Sequence, residues 1–500
     1  MNRVHIEFQR VQTWLFGVPR LRAMVGANTL LGEVLRLKLP DLARSGSNWK
    51  LAPLSGAYPA ADPNDPLARH DDPSADARDG ILSRDGGHFE AQFASGAEEF
   101  AEAAADLIRR ELPGLRFRVW IDGTEREEGR TSLSTELPVL APCEWTGRGL
   151  ASSVIQQGSD RPAVSLDVAR RHEAARRAED GSARDLASLL GKTTKLSNLQ
   201  RAQELEDLVG EGYLAIIQAD GNGIGGTAPR NDVERAAFFH RNRVLLRRAL
   251  KEAIHEHCGE KGQAPLVPLM LGGDDLLLLC RAELALPFVV TLCNRLSDFQ
   301  SKKANGFELT LGVGVVIAKH TIPIHRLHEI AERLAESAKR RFRGQRGAGA
   351  HTGSIVDWAV YTTARVDDPE EFRRRNWICG KGSDLRVLSQ RPVDVLGEGL
   401  HSLQGLVEAA KKLQVAPRSQ LRYLVEQLGR GRALTELAFE ELSAEARAAL
   451  EDAGVKAPWR RASGNGPWLT ALLDLVEICE IPRLGRSARN SHPAKEVAHG

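Results

Sequence analysis

Hydrophobic and polar positions follow the same succession of patterns in two blocks of the chain. The first block begins with VHIEF and ends with LRFRVWI, and the second begins with YLAIIQAD and ends with FELTLGVGVVIA. Runs with a period of two predict strands in each block, and runs with a period near 3.6 predict helices. The predicted order is strand, helix, two strands joined by a Gly-Gly turn, helix and strand. We interpret the two blocks as a degenerate internal duplication.

This order of elements is the split βαβ arrangement of ferredoxin-like folds. The predicted fold class is therefore α+β, with two ferredoxin-like domains, the second of which carries a Gly-Gly-Asp-Asp hairpin. The second block adds one more helix over PIHRLHEIAERLAESAKRRF, whose apolar residues share one face. Beyond residue 366, amphipathic stretches such as LHSLQGLVEAAKKL predict a mostly helical domain.

Changes in composition along the chain give the predicted domain boundaries. Residues 55–80 are rich in Pro, Asp and Ala and predict a long surface loop. The last eighteen residues have no periodicity and predict a disordered tail. The predicted divisions are a first domain at 1–140, a helical connector at 141–205, a second domain at 206–365, a helical C-terminal domain at 366–482 and the tail at 483–500.

Composition excludes several classes of protein. An apolar content of 42% and a charged content of 27% are typical of a soluble globular chain. The formal net charge of +2 means that any anion-binding surface must be local. No stretch approaches the roughly 18 apolar residues of a membrane helix, and the N-terminus lacks the features of a signal peptide. Six cysteines without any C-x-x-C pair predict reduced thiols, so we expect a cytoplasmic protein with no membrane partner.

The stretch LAIIQADGNGIGG is open to two interpretations. Its glycines fit the G-x-G-x-x-G pattern of a dinucleotide site, where a helix N-terminus receives a pyrophosphate. That site needs a helix to begin inside the motif, whereas the pattern delays the next helix to Asn231 or Asp232. An EF-hand also fits poorly, since Ile224 occupies a ligand position. The second interpretation is a metal site at Asp220, where the predicted strand ends, and it is the one we favour.

The most informative stretch is LMLGGDDLLLLC, in which two apolar runs meet at an acidic turn. Gly272 and Gly273 tolerate the positive φ of a tight hairpin. A surface hairpin with solvated aspartates would explain these glycines. It would not explain why Asp274 and Asp275 adjoin strands this hydrophobic, because charges beside buried strands are costly unless they are paired or bound to metal.

A split βαβ sheet can place its first strand beside this hairpin, which would bring Asp220, Asp274 and Asp275 together. Three carboxylates suit Mg²⁺ (or Mn²⁺), which prefers a few carboxylates together with phosphate oxygens. Two such ions could activate a hydroxyl and stabilise a leaving pyrophosphate. Gly221 and Gly223 would let the backbone approach phosphates, and a main-chain carbonyl near Gly221 could reach an ion. The pattern therefore predicts phosphoryl-transfer chemistry.

These residues resemble the CRISPR polymerases, the large palm-domain subunits of type III CRISPR effector complexes, which are related to GGDEF diguanylate cyclases and nucleotidyl cyclases. The resemblance rests first on the Asp-ended strand, the GGDD hairpin and the later LGVGVVIAKHTIPIHRLHEIAERLAESAKRR. FQRVQTWLFGVPRLRAMVGANTLL is similar to the start of that family's first palm domain. RPVDVLGEGLHSLQGLVEAAKKLQVAPRSQLRYL is similar to its C-terminal helical domain, so the resemblance covers most of the chain.

The resemblance implies two palm domains, of which the second makes cyclic oligoadenylates from ATP. It also implies that the three aspartates bind metal, that Gly272 and Gly273 shape the turn beside the nucleotide, and that Lys339 binds the triphosphate. The first palm has Gly-Gly-His-Phe in place of the acidic turn, which implies a catalytically idle domain that could still bind a second nucleotide. The sequence matches none of the family's HD nuclease domain, so we expect a variant that lacks it, and Cys143 lacks the second cysteine of the family's zinc site.

The function we predict is a Mg²⁺-dependent nucleotidyltransferase that makes cyclic oligoadenylate or cyclic dinucleotide messengers from ATP in antiviral defence. The partners that the resemblance implies are CRISPR backbone subunits with guide and target RNA, or a second copy of the chain. Two alternatives stay open. One is a catalytically idle scaffold subunit that binds nucleotide or RNA, and the other is an enzyme that uses GTP like a diguanylate cyclase.

Overall fold

The structure is a computed structural model of the chain. The residues that it describes are 1–126, 141–157, 159–179, 195–210, 212–301, 308–347, 353–363, 368–462 and 466–484. Helices and strands alternate through these ranges, so the mixed α/β class is confirmed. None of the helices in these ranges is long and apolar enough to cross a membrane.

Helices of very different length make up more of the described chain than strands do. In chain order they are α1 (Val11–Leu15), α2 (Leu21–Glu33), α3 (Leu39–Ser45), α4 (Pro73–Arg78), α5 (Ala97–Glu111), α6 (Leu166–Glu179), α7 (Leu205–Val209), α8 (Ile224–Thr227), α9 (Asp232–His257), α10 (Ala282–Ser301), α11 (Ile324–Gly347), α12 (Pro369–Asn376), α13 (Leu403–Lys412), α14 (Arg418–Arg430), α15 (Arg432–Glu440), α16 (Ala444–Asp452) and α17 (Leu472–Leu484). A π-helical turn, Val34–Lys38, joins α2 to α3.

The strands range from two to nine residues. In chain order they are β1 (Asn2–Gln9), β2 (Lys50–Leu51), β3 (Ile81–Ser83), β4 (His88–Ser95), β5 (Arg116–Ile121), β6 (Thr124–Glu125), β7 (Ser153–Val154), β8 (Ala163–Val164), β9 (Tyr213–Gly221), β10 (Leu266–Gly272), β11 (Asp275–Arg281), β12 (Leu311–Lys319), β13 (Ile355–Tyr361), β14 (Ile378–Cys379), β15 (Arg386–Val387), β16 (Val393–Asp394), β17 (Arg460–Arg461) and β18 (Trp468–Leu469).

Two six-stranded sheets share one strand order. The first sheet has the path β2-β4-β1-β5-β6, with β3 also paired to β4, and the second has the path β10-β11-β9-β12-β13-β16. In each sheet the first long strand, β1 or β9, lies between two others. One neighbour is the second strand of a Gly-Gly hairpin (β4 or β11), and the other is the strand that follows the next helix (β5 or β12). The second sheet then continues beyond this pattern, because β13 pairs with β12 in parallel and in register from Gly312 with Ile355.

The strands of the second sheet are covered on both faces. All residues of β12 except Lys319 are buried, as are the five residues between the ends of β11. Helix α9 begins where the sequence pattern predicts a helix start, because the Asn231 side chain accepts hydrogen bonds from the N–H groups of Val233 and Glu234. Strands that are buried on both faces have continuous apolar sequences, which is why apolar and polar residues do not alternate in LLLLC and GVVIA.

Internal contacts divide the chain into two compact units, residues 1–205 with 223–277 and residues 206–222 with 278–500. The first unit contains the first sheet, helix α9 and the turn at 272–275. The second unit contains β12, β13 and the C-terminal helices, together with a small four-stranded sheet in the order β14-β15-β18-β17. The sequence pattern did not predict that small sheet. Of the predicted tail, Arg483 and Leu484 end helix α17, and 485–500 lie outside the described residues.

Candidate functional site

The acidic hairpin joins β10 to β11 through the turn predicted from the sequence. Gly272 is the last residue of β10 and Asp275 is the first of β11, so Gly273 and Asp274 form a two-residue turn. Gly273 has a φ of +62°, in the left-handed region that residues with a side chain rarely adopt. The turn therefore depends on glycine at this position, and it leaves Asp274 and Asp275 at the end of a buried strand pair.

Strand order brings Asp220 to the same end of the second sheet. Strand β9 lies beside β11, and Asp220 is its penultimate residue, opposite Gly312 of β12. One carboxylate oxygen from each of Asp220, Asp274 and Asp275 lies within 4.8 Å of the other two. We call these three residues the carboxylate cluster. Within the described ranges, it is the one group of three such side chains close enough to share a metal ion.

The geometry of the carboxylate cluster fits a hard divalent cation. Two unit charges 4.8 Å apart repel by roughly 3–4 kcal/mol at an effective dielectric constant of about 20. A divalent cation among the three carboxylates would replace this repulsion with attraction, and oxygen ligands are those that Mg²⁺ and Mn²⁺ prefer. All three side chains are partly exposed, so the cluster is open to a substrate phosphate.

Lys339 on helix α11 supplies a positive charge to the carboxylate cluster. Its Nζ donates a hydrogen bond to Asp220 Oδ2, and the Lys339 side chain is 20% exposed. Two glycines of β12 make this approach possible. A Cβ atom on Gly312 would lie 2.6 Å from Cγ of Lys339, and one on Gly314 would lie 2.0 Å from the carbonyl oxygen of Ala331. Bare backbone at these two positions lets α11 pack against the strand and carry Lys339 to Asp220.

The segment after Asp220 is held by a buried asparagine. Asn222 is 1% exposed, its backbone N–H donates to the carbonyl of Thr310 at 2.8 Å, and its side-chain Nδ2 donates to the Thr310 hydroxyl at 3.2 Å. Gly221 is buried at the end of β9, and Gly223 has a φ of +69° at the start of the four-residue helix α8. Both glycines therefore lie next to Asp220 of the carboxylate cluster in the sequence.

A cavity of about 580 Å³ opens beside the acidic turn within the first unit. Asp274 and Asp275 line one side, and Tyr58, Phe239 and His88 are among the residues that line the rest. His88 Nε2 lies 2.9 Å from the Ser83 hydroxyl, and burial lowers the pKa of His88. The cavity therefore combines carboxylates with aromatic rings and a neutral imidazole, which suits a ligand that carries both phosphates and a base. We call it the large cavity.

The turn of the first sheet contacts the acidic turn directly. Gly86 and Gly87 lie between β3 and β4 and both have positive φ, at 66° and 81°, whereas in the second hairpin Gly272 ends β10 and Gly273 alone has positive φ. A Cβ atom on Gly272 would lie 3.5 Å from Cα of Gly86. A methyl group at Gly272 would therefore reach van der Waals contact with the opposing turn. We call Asp85–His88 the first turn and Gly272–Asp275 the second turn.

The aspartate of the first turn belongs to a network of arginines and aspartates. Arg247 on helix α9 is 3% exposed and donates to three carboxylates, of Asp71 at 2.6 Å, Asp85 at 2.7 Å and Asp65 at 2.9 Å. Arg243 makes two bonds to Asp71, at 2.9 and 3.0 Å, and Arg36 donates to Asp85 at 3.2 Å. These six residues form the arginine–aspartate network.

Burial and charge act in opposite directions in this network. Burial alone would raise the pKa of Asp85, but the guanidinium groups of Arg36, Arg247 and Arg243 outweigh it and lower the pKa to about 2. The pKa of Asp71 is lowered well below its usual range, because Arg243 and Arg247 likewise outweigh the effect of burial. Both carboxylates are therefore ionised at neutral pH, and their charges are already compensated by arginines.

The sequence analysis did not identify several residues that shape the site. They are Gly312, Gly314, Asn222, Ser83, His88 as a cavity residue and the six members of the arginine–aspartate network. Alternating glycines in LGVGVV were the one available signal, since glycine inside a strand often marks a close approach of another backbone. Asp65 and Asp71 lie in the segment predicted as a surface loop, yet they are 5% and 9% exposed.

The part of the chain that carries Asp220, the second turn and Lys339 matches a known domain. The family model for the second palm domain of Cas10/Cmr2 matches residues 213–348. This segment is similar to the second palm domain of Cas10/Cmr2. The resemblance to the CRISPR polymerases is thereby confirmed for this palm domain, in which the strands β9 to β12 and helix α11 carry the three aspartates and the lysine. No curated protein matches the chain.

Solved structures similar to the whole chain are distant in sequence. A Csm1–Csm4 cassette in complex with cA4 is 12% identical over 83% of this chain and 62% of that chain, with a TM-score of 0.39. The cassette in complex with AMPPNP is 13% identical over 96% and 69%, with a TM-score of 0.44. The cassette in complex with one ATP is 12% identical over 96% and 70%, with a TM-score of 0.45. The chain therefore spans about 62 to 70% of these relatives.

Proposed function

We propose that the chain is a divalent-metal-dependent nucleotidyltransferase that makes cyclic oligoadenylate or cyclic dinucleotide messengers from ATP in CRISPR-type defence. The observation that carries this proposal is the convergence of Asp220, Asp274 and Asp275 within 4.8 Å, in a segment matched by the Cas10/Cmr2 palm model. Two of these residues come from a hairpin and the third from a strand more than fifty positions earlier in the sequence. Three carboxylates this close repel one another, which supports a role in binding metal and phosphate.

The reaction would join two nucleotides at the carboxylate cluster. A ribose hydroxyl oxygen of the acceptor nucleotide bonds to the α-phosphorus of the donor nucleotide. The bond from that phosphorus to the bridging oxygen breaks, pyrophosphate leaves, and the hydroxyl proton passes to solvent. A second such step within the growing product closes the ring. Each step needs charge compensation for the donor triphosphate and alignment of the hydroxyl.

The residues of the palm domain have separate parts in this reaction. Asp220, Asp274 and Asp275 would hold Mg²⁺ or Mn²⁺, which when bound neutralises phosphate charge and lowers the pKa of the attacking hydroxyl. Lys339 would exchange its bond to Asp220 for one to the donor triphosphate. Gly272 and Gly273 leave the backbone of the second turn accessible to phosphates, and we assign Gly221 and Gly223 the same role after β9.

The shared strand order of the two sheets supports a two-palm architecture with one active half. We propose that residues 1–140 form a degenerate first palm, 141–205 a connector, 206–365 the catalytic palm and 366–482 a C-terminal domain rich in helices. The first turn lacks a carboxylate cluster, and Asp85 is compensated by arginines. The first palm would therefore bind an acceptor nucleotide in the large cavity and leave the chemistry to the second turn. CRISPR backbone subunits with RNA, or a second copy of the chain, are the partners we propose.

The decisive experiment incubates the purified full chain with ATP and Mg²⁺ and measures released pyrophosphate, with mass spectrometry of the products. We expect pyrophosphate and a cyclic or linear adenylate from the wild type. The double variant Asp274→Ala with Asp275→Ala is expected to lose at least a thousandfold in rate, since it removes two of three metal ligands. The matched control is Asp79→Ala, an exposed aspartate paired with Arg44. An active double variant would contradict the proposal.

The same assay separates the two alternatives. Each nucleoside triphosphate is tested alone, so that synthesis from GTP and not from ATP would identify a diguanylate-cyclase-like enzyme. ATP binding without product, including after addition of guide and target RNA, would identify a scaffold subunit.

A further inference from the structure

Arg36 lies in an unusual turn of the backbone. The N–H of Leu39 bonds to the carbonyl of Val34, five residues earlier, so the chain forms a π-helical turn at Val34–Lys38. Pro40 explains the freed carbonyl, because proline has no N–H to donate to residue 36, and its ring crowds the carbonyl four residues before it. Arg84 Nη1 donates to the Arg36 carbonyl at 2.9 Å instead. The turn is thus a built feature, and π-helical turns are frequent at functional sites.

This turn places Arg36 where two cavities meet. A small cavity of about 290 Å³ shares part of its lining with the large cavity, and all its lining residues belong to the first unit. Both cavities are lined by Arg36, Asp85, Gly86, Gly272 and Asp275. The small cavity adds the polar side chains of Gln12 and Asn28 and the guanidinium group of Arg10. The small cavity therefore combines two arginines with two aspartates and polar amide side chains.

Arg36 can leave its present partner without leaving a buried charge uncompensated. Its recorded ion pair is with Asp85, at 3.2 Å. Asp85 also bonds to Arg247 at 2.7 Å and lies 3.8 Å from Arg243. Removing one guanidinium group from a carboxylate that has three costs far less than breaking an isolated buried pair, whose loss costs about 3–5 kcal/mol. The network therefore holds Asp85 in place while Arg36 remains available to another anion.

We propose that Arg36 binds the phosphates of the acceptor nucleotide, exchanging Asp85 for a phosphate when that nucleotide enters. The inference rests on the proposed function, because an acceptor that is itself a triphosphate brings a second cluster of negative charge. Beside the first turn, the group that can bind this second triphosphate is the Arg36 guanidinium group and not a metal ion held by carboxylates. A guanidinium group binds phosphate through two parallel hydrogen bonds and needs no metal. Phosphate binding at Arg36 is therefore independent of divalent cations.

The test measures binding of ATP and of adenosine to the full chain by calorimetry in EDTA, where the carboxylate cluster cannot recruit metal. We expect Arg36→Met to weaken ATP binding about tenfold or more, since it removes hydrogen bonds to a charged group. Binding of adenosine, which has no phosphate, is expected to stay unchanged. Arg44→Met is the matched control, because Arg44 lies in the helix that follows the π-helical turn and also pairs with an aspartate, but it lines neither cavity.

Three results would overturn the proposal: unchanged ATP binding by Arg36→Met, an equal loss of ATP and adenosine binding, or no ATP binding by the wild type in EDTA. If Arg36→Met does not fold, Arg36→Lys is used in its place. Lysine keeps the positive charge but cannot form the two parallel hydrogen bonds, so we expect severalfold weaker ATP binding. If the chain gives the expected binding results but releases no pyrophosphate, the proposed function is wrong and the assignment of Arg36 stands.

Discussion

The first and second turns both contain a Gly-Gly pair, but their aspartates have different surroundings. At the second turn, carboxylates converge with Asp220 within 4.8 Å and remain partly exposed. At the first turn, Asp85 is bonded to Arg247 and Arg36 and is compensated within the fold. The comparison teaches that a Gly-Gly turn between two strands supplies shape only. Whether the turn can hold a metal is decided by the cations that the rest of the fold brings to it.

Arg247 in the arginine–aspartate network and Lys339 at the carboxylate cluster also differ in how freely they can leave their partners. Arg247 is 3% exposed and has three carboxylate partners, so any movement would leave buried charges behind. Lys339 bonds to Asp220 through a flexible side chain, and we propose that a metal ion displaces it. We therefore propose that Arg247 is a fixed support of the first turn and that the second turn is an exchangeable binding site.

The largest effect is expected from Arg247→Met, which removes the centre of the arginine–aspartate network. Three carboxylates would lose their shared guanidinium group inside the protein, and breaking a buried ion pair in this way costs about 3–5 kcal/mol. Urea unfolding of both proteins at pH 7 measures the loss. Arg44→Met removes an exposed pair with Asp79 and is expected to cost less than about 1 kcal/mol. Equal losses in the two variants would show that the network does not support the first turn.

The second turn was more accessible to sequence reasoning than the first. Asp220, Asp274 and Asp275 could be connected because each stands at the end of an apolar run, and the split βαβ order determines which strand ends are neighbours. The start of helix α9 was also predictable, because Asn231 is a capping residue at the end of a polar segment. In both cases a local pattern of a few residues carried the information.

The arginine–aspartate network could not be predicted, because its partners are far apart in the sequence and each is ordinary in its own segment. Arg247 is one of many charged residues on α9, and its partners Asp65 and Asp85 precede it by 182 and 162 positions. Aspartates in a segment rich in Pro and Asp predict a solvated loop, and only the tertiary fold buries them. The small sheet of β14, β15, β17 and β18 was missed because two-residue strands have no period to detect.

The free energy of unfolding is expected to depend on pH because Asp85 is ionised in the folded protein. Its folded-state pKa is about 2, below the ordinary value of 3.8 for an unfolded aspartate. Its contribution to stability is therefore present above about pH 4 and is lost as the pH falls through 2, and it amounts to about 2 kcal/mol. The difference in unfolding free energy between wild type and Asp85→Asn should shrink by that amount between pH 5 and pH 2. A difference independent of pH would mean that Asp85 is not held by arginines.

The smallest effect, and the one that separates the two turns most directly, is expected from Lys339→Met. Lys339 competes with a cation for Asp220, so its removal should tighten Mn²⁺ binding severalfold, measured by electron paramagnetic resonance. Pyrophosphate release should fall in the same variant, because the donor triphosphate loses a positive charge. Arg343→Met, on the same helix and paired with Glu336, should change neither measurement. Weaker Mn²⁺ binding in Lys339→Met would mean that the lysine organises the carboxylates rather than competing for them, and the second turn would then resemble the first.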